Sequence, residues 1–141
     1  MGKYKTPSLT ADIFIFDEGH NFILIERGND PYKGQWALPG GFVEYGESVE
    51  DAAIREAKEE THIDVELIDL VNVYSKPERD PRGHTVTVAY TAKGNMEDMQ
   101  ADDDASQIGI FCENDIGKLE IAFDHEEIIK DCLTILKSNK K

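Results

Sequence analysis

The chain has 141 residues, room for one domain with a proper core. Hydrophobic residues make up 40% and charged residues 31%, which excludes a disordered chain, and no apolar run approaches a membrane span. The net charge of −14 argues against general binding to nucleic acid or anionic membranes, which relies on Lys and Arg. An anionic small molecule then fits only a site that brings its own positive charge, such as a metal ion helped by a few placed arginines. The N-terminal stretch has no apolar segment of the secretory kind, so a cytoplasmic location is expected. Cys112 and Cys132 form no C-x-x-C pair and sit in apolar-patterned segments, as reduced, buried thiols do.

In chain order, Leu9 to Phe16 reads as a strand with Ala11, Ile13 and Ile15 on one face. Asp17 to Asn21 has turn chemistry, and Phe22 to Glu26 reads as the returning strand. A loop through Gly28, Pro31 and Gly34 leads to Trp36 and the Gly40-Gly41 pair. Ser48 to Thr61 reads as a helix with Ser48 at its N-cap. Val65 to Ser75 and His84 to Ala92 read as strands around a polar loop, and Lys93 to Ser106 as a long acidic loop. Gln107 to Cys112 reads as a short strand, and Asp124 to Lys137 as a second helix capped by Asp124. Strands mixed with two helices give an α/β sandwich around a mixed sheet.

The first helix carries the chemistry. Glu56, Glu59 and Glu60 are three and four residues apart, so they share one face. At about 100° per residue they fall within an arc of roughly 100°. Ala53, Ile54 and Ala57 lie on the adjoining arc, where they can pack inward. Carboxylates so close together repel, by about 0.2–0.5 kcal/mol per pair in an isolated helix, and Arg55 offsets only part of that. A solvated acidic face is the ordinary explanation for such a cluster. The glycine-rich entry and the spacing of Glu47 favour a divalent cation, and oxygen ligands suit Mg²⁺ or Mn²⁺ rather than zinc.

The stretch resembles the Nudix signature, G-x5-E-x7-R-E-U-x-E-E-x-G-U with U a bulky aliphatic. Gly41, Glu47, Arg55, Glu56, Glu59, Glu60 and Ile63 match it. Ala57 replaces a bulky aliphatic, which affects packing, and His62 replaces the glycine that closes the helix. That glycine permits a left-handed C-cap, which histidine adopts less readily. The resemblance implies a Nudix-type α/β/α sandwich spanning 1–141 as a single domain. It also implies metal-assisted hydrolysis of a pyrophosphate in a nucleoside diphosphate derivative. Carried onto this chain, Glu56 and Glu60 become the principal metal ligands, and Glu59 a ligand or the general base. The Gly40 carbonyl joins the metal shell, and Arg55 and Glu47 form a supporting ion pair.

Beyond this box, the sequence is similar to the ADP-ribose pyrophosphatase branch. Arg27 to Pro31, Gly34 to Glu44, Arg79 to His84, Ala101 to Ala105 and Phe123 to His125 carry that similarity. It implies ADP-ribose as the substrate, with AMP and ribose 5-phosphate as products. Arg27, Arg79 and Arg82 are the candidate cations for a phosphate, with solvated surface arginines or simple ion pairs as the plainer explanation. Trp36 is either core or an adenine platform, and Phe42 and Tyr45 are candidates for the pocket rim. Asp103 and Asp104 are candidates to complete the metal site or serve as base, with Glu113 behind them. His84 and His125 are expected to make structural hydrogen bonds, and His20 to sit in a turn.

Two alternatives remain open at this level. One is a Nudix enzyme for an oxidised nucleoside triphosphate or another dinucleotide. The other is a non-catalytic ADP-ribose sensor, since related domains occur fused to a DNA-binding winged helix. One domain over 1–141 leaves no room for that module, and the unbroken carboxylates favour an enzyme. A small-molecule nucleotide partner is expected, without nucleic acid or membrane, and a homodimer is an arrangement common in this branch.

Overall fold

A computed structural model describes residues 5–100 and 105–139. The organising element is β1 (Ser8–Phe16), whose residues from Ala11 onward are all buried. Alternation sends Ala11, Ile13 and Ile15 to one face and Phe14 and Phe16 to the other. A strand buried on both faces needs helices on both sides. The first set packs with Ala52, Ala53 and Ala57 of α1 (Val49–Thr61). The second packs with Ile128, Ile129, Cys132, Leu133 and Leu136 of α2 (His125–Ser138). The expected α/β/α sandwich is therefore present. Burial pushes the Cys132 thiol well above its usual range, as expected for an inert core cysteine.

The sheet is mixed. β1 runs parallel to β6 (Thr85–Gly94) along its whole length, from Ser8 opposite Thr85 to Phe16 opposite Lys93. β5 (Val65–Tyr74) lies antiparallel on the far side of β6. β2 (Phe22–Arg27) leaves β1 through a hairpin and pairs with β3 (Trp36–Ala37) and β7 (Ala105–Phe111). β4 (Gly40–Phe42) pairs with β1, setting Gly40 opposite Asp12 and Gly41 opposite Ala11. β3 and β4 are too short to carry a periodic signal, and the sequence pattern shows only a loop there. β7 begins two residues before the expected Gln107.

Two details of α1 bear on the site. Ser48 caps it by accepting a hydrogen bond from the Asp51 N–H at 3.0 Å. Its inward arc is Ala52, Ala53, Ala57 and Thr61, whereas Ile54 is 39% exposed, just past the edge of that arc. Packing rotates the helix slightly from the expected setting. The helix ends on His62 in the left-handed region (φ 65°), with its N–H bonded to the Lys58 carbonyl. Histidine thus does the work of the signature's closing glycine. Replacing His62 by glycine should raise unfolding stability by about 0.5–1 kcal/mol, read as a higher urea midpoint, because the β-carbon penalty disappears.

Candidate active site

α1 and β4 pack against each other beside a cleft of about 580 Å³. It is lined by Gly40, Gly41, Glu56, Glu59 and Glu60 and also by Arg27, Arg82 and Phe123. Gly40 and Gly41 are glycine for steric reasons. A side chain on Gly40 would collide with the Ala11 carbonyl and Asp12, and one on Gly41 with the Glu56 carboxylate. The missing β-carbons let β4 lie flat against β1 and let Glu56 rest on the backbone.

Arg55 ties this wall together. Its guanidinium donates to Glu47 at 2.7 and 3.0 Å, to Glu56 and Glu59 at 3.1 Å each, and to the Phe42 carbonyl at 3.0 Å. Those bonds place the carboxylates against their cation and pin α1 to the end of β4. The hydrogen bonds from Arg55 hold the Glu47 carboxyl down to about 2. The Glu47 carboxylate also accepts from the Glu44 N–H. Glu56 moves the other way: burial raises its pKa, with Arg55 opposing. Glu59 is more open than Glu56, with side chains 55% and 13% exposed. Glu60 lies deeper, with its Oε2 buried, and acts electrostatically on Arg27.

The three candidate substrate arginines part company. Arg79 is 5% exposed and makes a two-pronged ion pair with Asp124 at 2.6 and 2.8 Å. Burial alone would lower its pKa, but the bonds to Asp124 prevail and lift it. Asp124 was expected to cap α2; its side chain makes no capping bond and serves Arg79 instead. Arg79 is therefore neither a solvated loop residue nor an uncommitted phosphate ligand. Arg82 stays 47% exposed while its guanidinium is braced by the buried Asp80 at 2.8 and 3.1 Å. Arg27 donates from Nε to the Pro31 carbonyl, and burial and the neighbouring Arg82 lower its pKa.

Trp36 is absent from the cleft walls and packs edge to face on Phe111 at 4.8 Å, beside the α2 core cluster. The core alternative holds for it, because its strand turns its ring away from the cleft. Phe42 does line the cleft, and Tyr45 does not. Asp103 and Asp104 lie outside the described residues. Glu113 pairs with Lys137, away from the cleft. His84 meets the Ser75 carbonyl at 2.9 Å, and His20 sits in the β1–β2 turn.

Of two buried cleft residues, Asp12 was not singled out from sequence, and His125 makes the structural hydrogen bond expected of it. Asp12 is buried in β1 and accepts from the Thr87 hydroxyl at 2.7 Å. His125 is buried and takes the Leu38 N–H on Nδ1 at 3.0 Å. Burial lowers its pKa, so the ring is neutral and its Nε2, 3.6 Å from Asp12, carries the proton. One signal was available: an aspartate inside the apolar run ADIFIF is a buried charge and needs partners.

A three-layered helix–sheet–helix frame with a cleft lined by carboxylates and arginines suits a nucleotide pyrophosphate hydrolase. The NUDIX domain pattern matches residues 6–132, and the chain belongs to the Nudix family, as a pyrophosphohydrolase of that family. It is 45% identical over 128 residues to an ADP-ribose pyrophosphatase of Methanocaldococcus jannaschii, covering 91% of this chain and 74% of that protein. It is 35% identical to the ADPR responsive transcriptional repressor NtrR of Acinetobacter baylyi, covering 98% of this chain but 58% of the repressor. The NUDIX domain of Shewanella oneidensis NrtR, solved with ADP ribose, superposes with a TM-score of 0.81 at 30% identity. That match covers 94% of this chain and 90% of the solved one. Among the described residues, no helix is long and apolar enough to cross a membrane.

Two outcomes test this geometry. Because its folded pKa is depressed, Glu47 contributes stability that is present above the ordinary carboxylate range and is lost as pH falls toward about 2. A carbon-detected NMR titration of Glu47 should give a midpoint near 2, returning to the ordinary range in Arg55→Ala. Arg79→Ala should cost about 3 kcal/mol of stability by leaving Asp124 without its partner, read from urea unfolding.

Proposed function

We propose that this chain cuts ADP-ribose at its pyrophosphate to give AMP and ribose 5-phosphate, acting as a single Nudix domain. The observation that carries the proposal is one cleft lined by Glu56, Glu59, Glu60, Gly40 and Gly41 together with Arg27 and Arg82. A wall of carboxylates repels a pyrophosphate unless a cation stands between them. The donors are all hard oxygens, which suits Mg²⁺ or Mn²⁺. Glu56, Glu60 and the Gly40 carbonyl would hold it, with Glu59 either a further ligand or the general base. Among the described residues, no three His, Cys, Asp or Glu side chains already surround one point. Glu56 and Glu59 are bonded to Arg55, so holding an ion would require them to loosen those bonds.

When bound, the metal supplies charge neutralisation and a more acidic attacking water. The chain's residues do the rest. Arg27 and Arg82 take phosphate oxygens, and Arg82 arrives pre-aimed by Asp80. Glu59, the most open of the three glutamates, accepts the water's proton, with Asp103 and Asp104 as the other candidates for that role. The water oxygen bonds to one phosphorus as the bridging P–O bond breaks, and the bridging oxygen leaves with the other phosphate. Arg55, bonded to Glu47 and the Phe42 carbonyl, keeps the helix in place against β4. The similarity to an ADP-ribose pyrophosphatase and to an ADP-ribose-bound domain supports this substrate.

A second reading is favoured by the repressor that aligns over 98% of this chain: a sensor that binds ADP-ribose without cutting it. Turnover separates the two. With ADP-ribose and Mg²⁺ the chain should release AMP, EDTA should abolish release, and added Mg²⁺ should restore it. Glu60→Gln should lower kcat by about 100-fold or more. Tight binding with no AMP would favour the sensor, and equal or higher kcat/KM on nucleoside triphosphates would displace ADP-ribose as the substrate.

A further inference from the structure

Of the groups proposed to hold the ion, Gly40 alone offers a backbone carbonyl, and the β1–β4 ladder sets its direction. The Ile13 N–H bonds the Pro39 carbonyl and the Val43 N–H bonds the Leu9 carbonyl, both at 2.9 Å, with Gly40 opposite Asp12. In an antiparallel pair, alternate residues bond the partner strand. Pro39 and Val43 therefore face β1, while Gly40 and Phe42 turn their backbone groups away from it. The Phe42 carbonyl does reach the Arg55 guanidinium, at 3.0 Å. The Gly40 carbonyl, two residues earlier in the strand, leaves on that same side.

A glycine lacks the side chain that narrows its backbone choices, so its neighbours must fix it. Leu38 and Pro39 carry the chain from β3, which pairs with β2, to β4, which pairs with β1. Proline has no N–H, so the Leu38 N–H is the one backbone donor of this crossing. Leu38 is buried, and a buried N–H is costly without a partner. Its partner is Nδ1 of His125, 3.0 Å away.

His125 is itself held. It is buried at the start of α2, and its backbone N–H bonds the Ala122 carbonyl at 3.1 Å. Its Nε2 faces Asp12 at 3.6 Å, and the Thr87 hydroxyl holds Asp12 at 2.7 Å. The two ring nitrogens thus bracket Gly40. One holds the residue two places before it, and the other faces the residue across the ladder from it.

We propose that His125 is a positioning residue for pyrophosphate hydrolysis, its Nδ1 fixing the Leu38–Pro39 crossing so that the Gly40 carbonyl is presented to the ion. This rests on the ion site proposed above and not on the choice of substrate. A partner one step behind a metal ligand changes affinity or activity by about 10- to 100-fold when it is lost. The plainer role, anchoring the start of α2, changes folding stability and leaves ion affinity alone.

The test titrates the full chain with Mn²⁺ alone, without nucleotide, following the free ion by electron spin resonance. An Asn side chain puts its oxygen where His carries Nδ1, whereas Gln reaches the Nε2 position. His125→Asn therefore keeps an acceptor for Leu38 and His125→Gln withdraws it, while both keep a polar group in the buried layer. His125→Gln should weaken Mn²⁺ binding by about tenfold or more, and His125→Asn should stay within about threefold of wild type. Equal losses in the two variants, or no loss in His125→Gln, would overturn the role. Thermal unfolding is read beside each titration. Lower stability with Mn²⁺ affinity intact in both variants is the mark of an anchor alone and overturns the role as well. Should a variant fail to fold, the wild type decides by NMR. A nitrogen–nitrogen coupling across the Leu38–His125 hydrogen bond should persist when Mg²⁺ saturates the protein, and its loss overturns the proposal. Wild type that takes up no Mn²⁺ would bring down the ion site and this role together. Graded Mn²⁺ binding without AMP release from ADP-ribose sinks the substrate and keeps the positioning role.

Discussion

Like charges crowded on one helix face push the helix apart, and here a single guanidinium resists that push. Arg55 reaches Glu47, Glu56, Glu59 and the Phe42 carbonyl at once. It therefore does two jobs with one planar group: it neutralises the carboxylates and fastens α1 to β4. A lysine has no fork to divide among so many acceptors. The depressed carboxyl of Glu47 and the raised one of Glu56 follow from the same arrangement. One carboxylate gives its charge fully to Arg55, while the other is partly buried beside it and left to be claimed by something else.

This fastening works only because β1 is a rigid floor. It is buried on both faces and paired along its full length with β6, so β4 has a fixed edge to join. Gly40 and Gly41 then bring backbone, not side chain, up to the carboxylates. Under that floor Asp12, Thr87 and His125 form a buried polar layer between β1, β6 and the start of α2. A buried carboxylate is costly without partners. Its partners come from both neighbouring elements, so the layer also sets how α2 meets the sheet.

The arginines of the cleft show how one residue type takes different roles by environment. Arg79 and Arg82 lie three residues apart in one loop. Arg79 is buried and committed to Asp124, which holds the loop against α2. Arg82 points outward from Asp80 toward two aromatic rings. The first arginine gives the wall its stability and the second gives it reach. Arg27 approaches from β2, so the cleft draws its cations from separate parts of the chain.

Periodicity and capping chemistry are local, and the sequence by itself determined what depends on them. β1, β2, α1, β5, β6 and α2 are all legible within a few residues. So are the Ser48 cap, the shared face of the three glutamates, and the left-handed role of His62. The Nudix resemblance is legible for the same reason, because its signature lies within one short stretch. Only the tertiary structure decided what depends on partners far along the chain. β3 and β4 have no period of their own and exist through pairing with β2 and β1. Asp124 reads as a helix cap until Arg79, 45 residues earlier, is seen to take it. Trp36 reads as core or platform until its strand direction is known. His125 gains meaning only from Leu38 and Asp12, brought to its two ring nitrogens. Local spacing places a side chain on its own element, while long-range packing decides which charge or ring it finally faces.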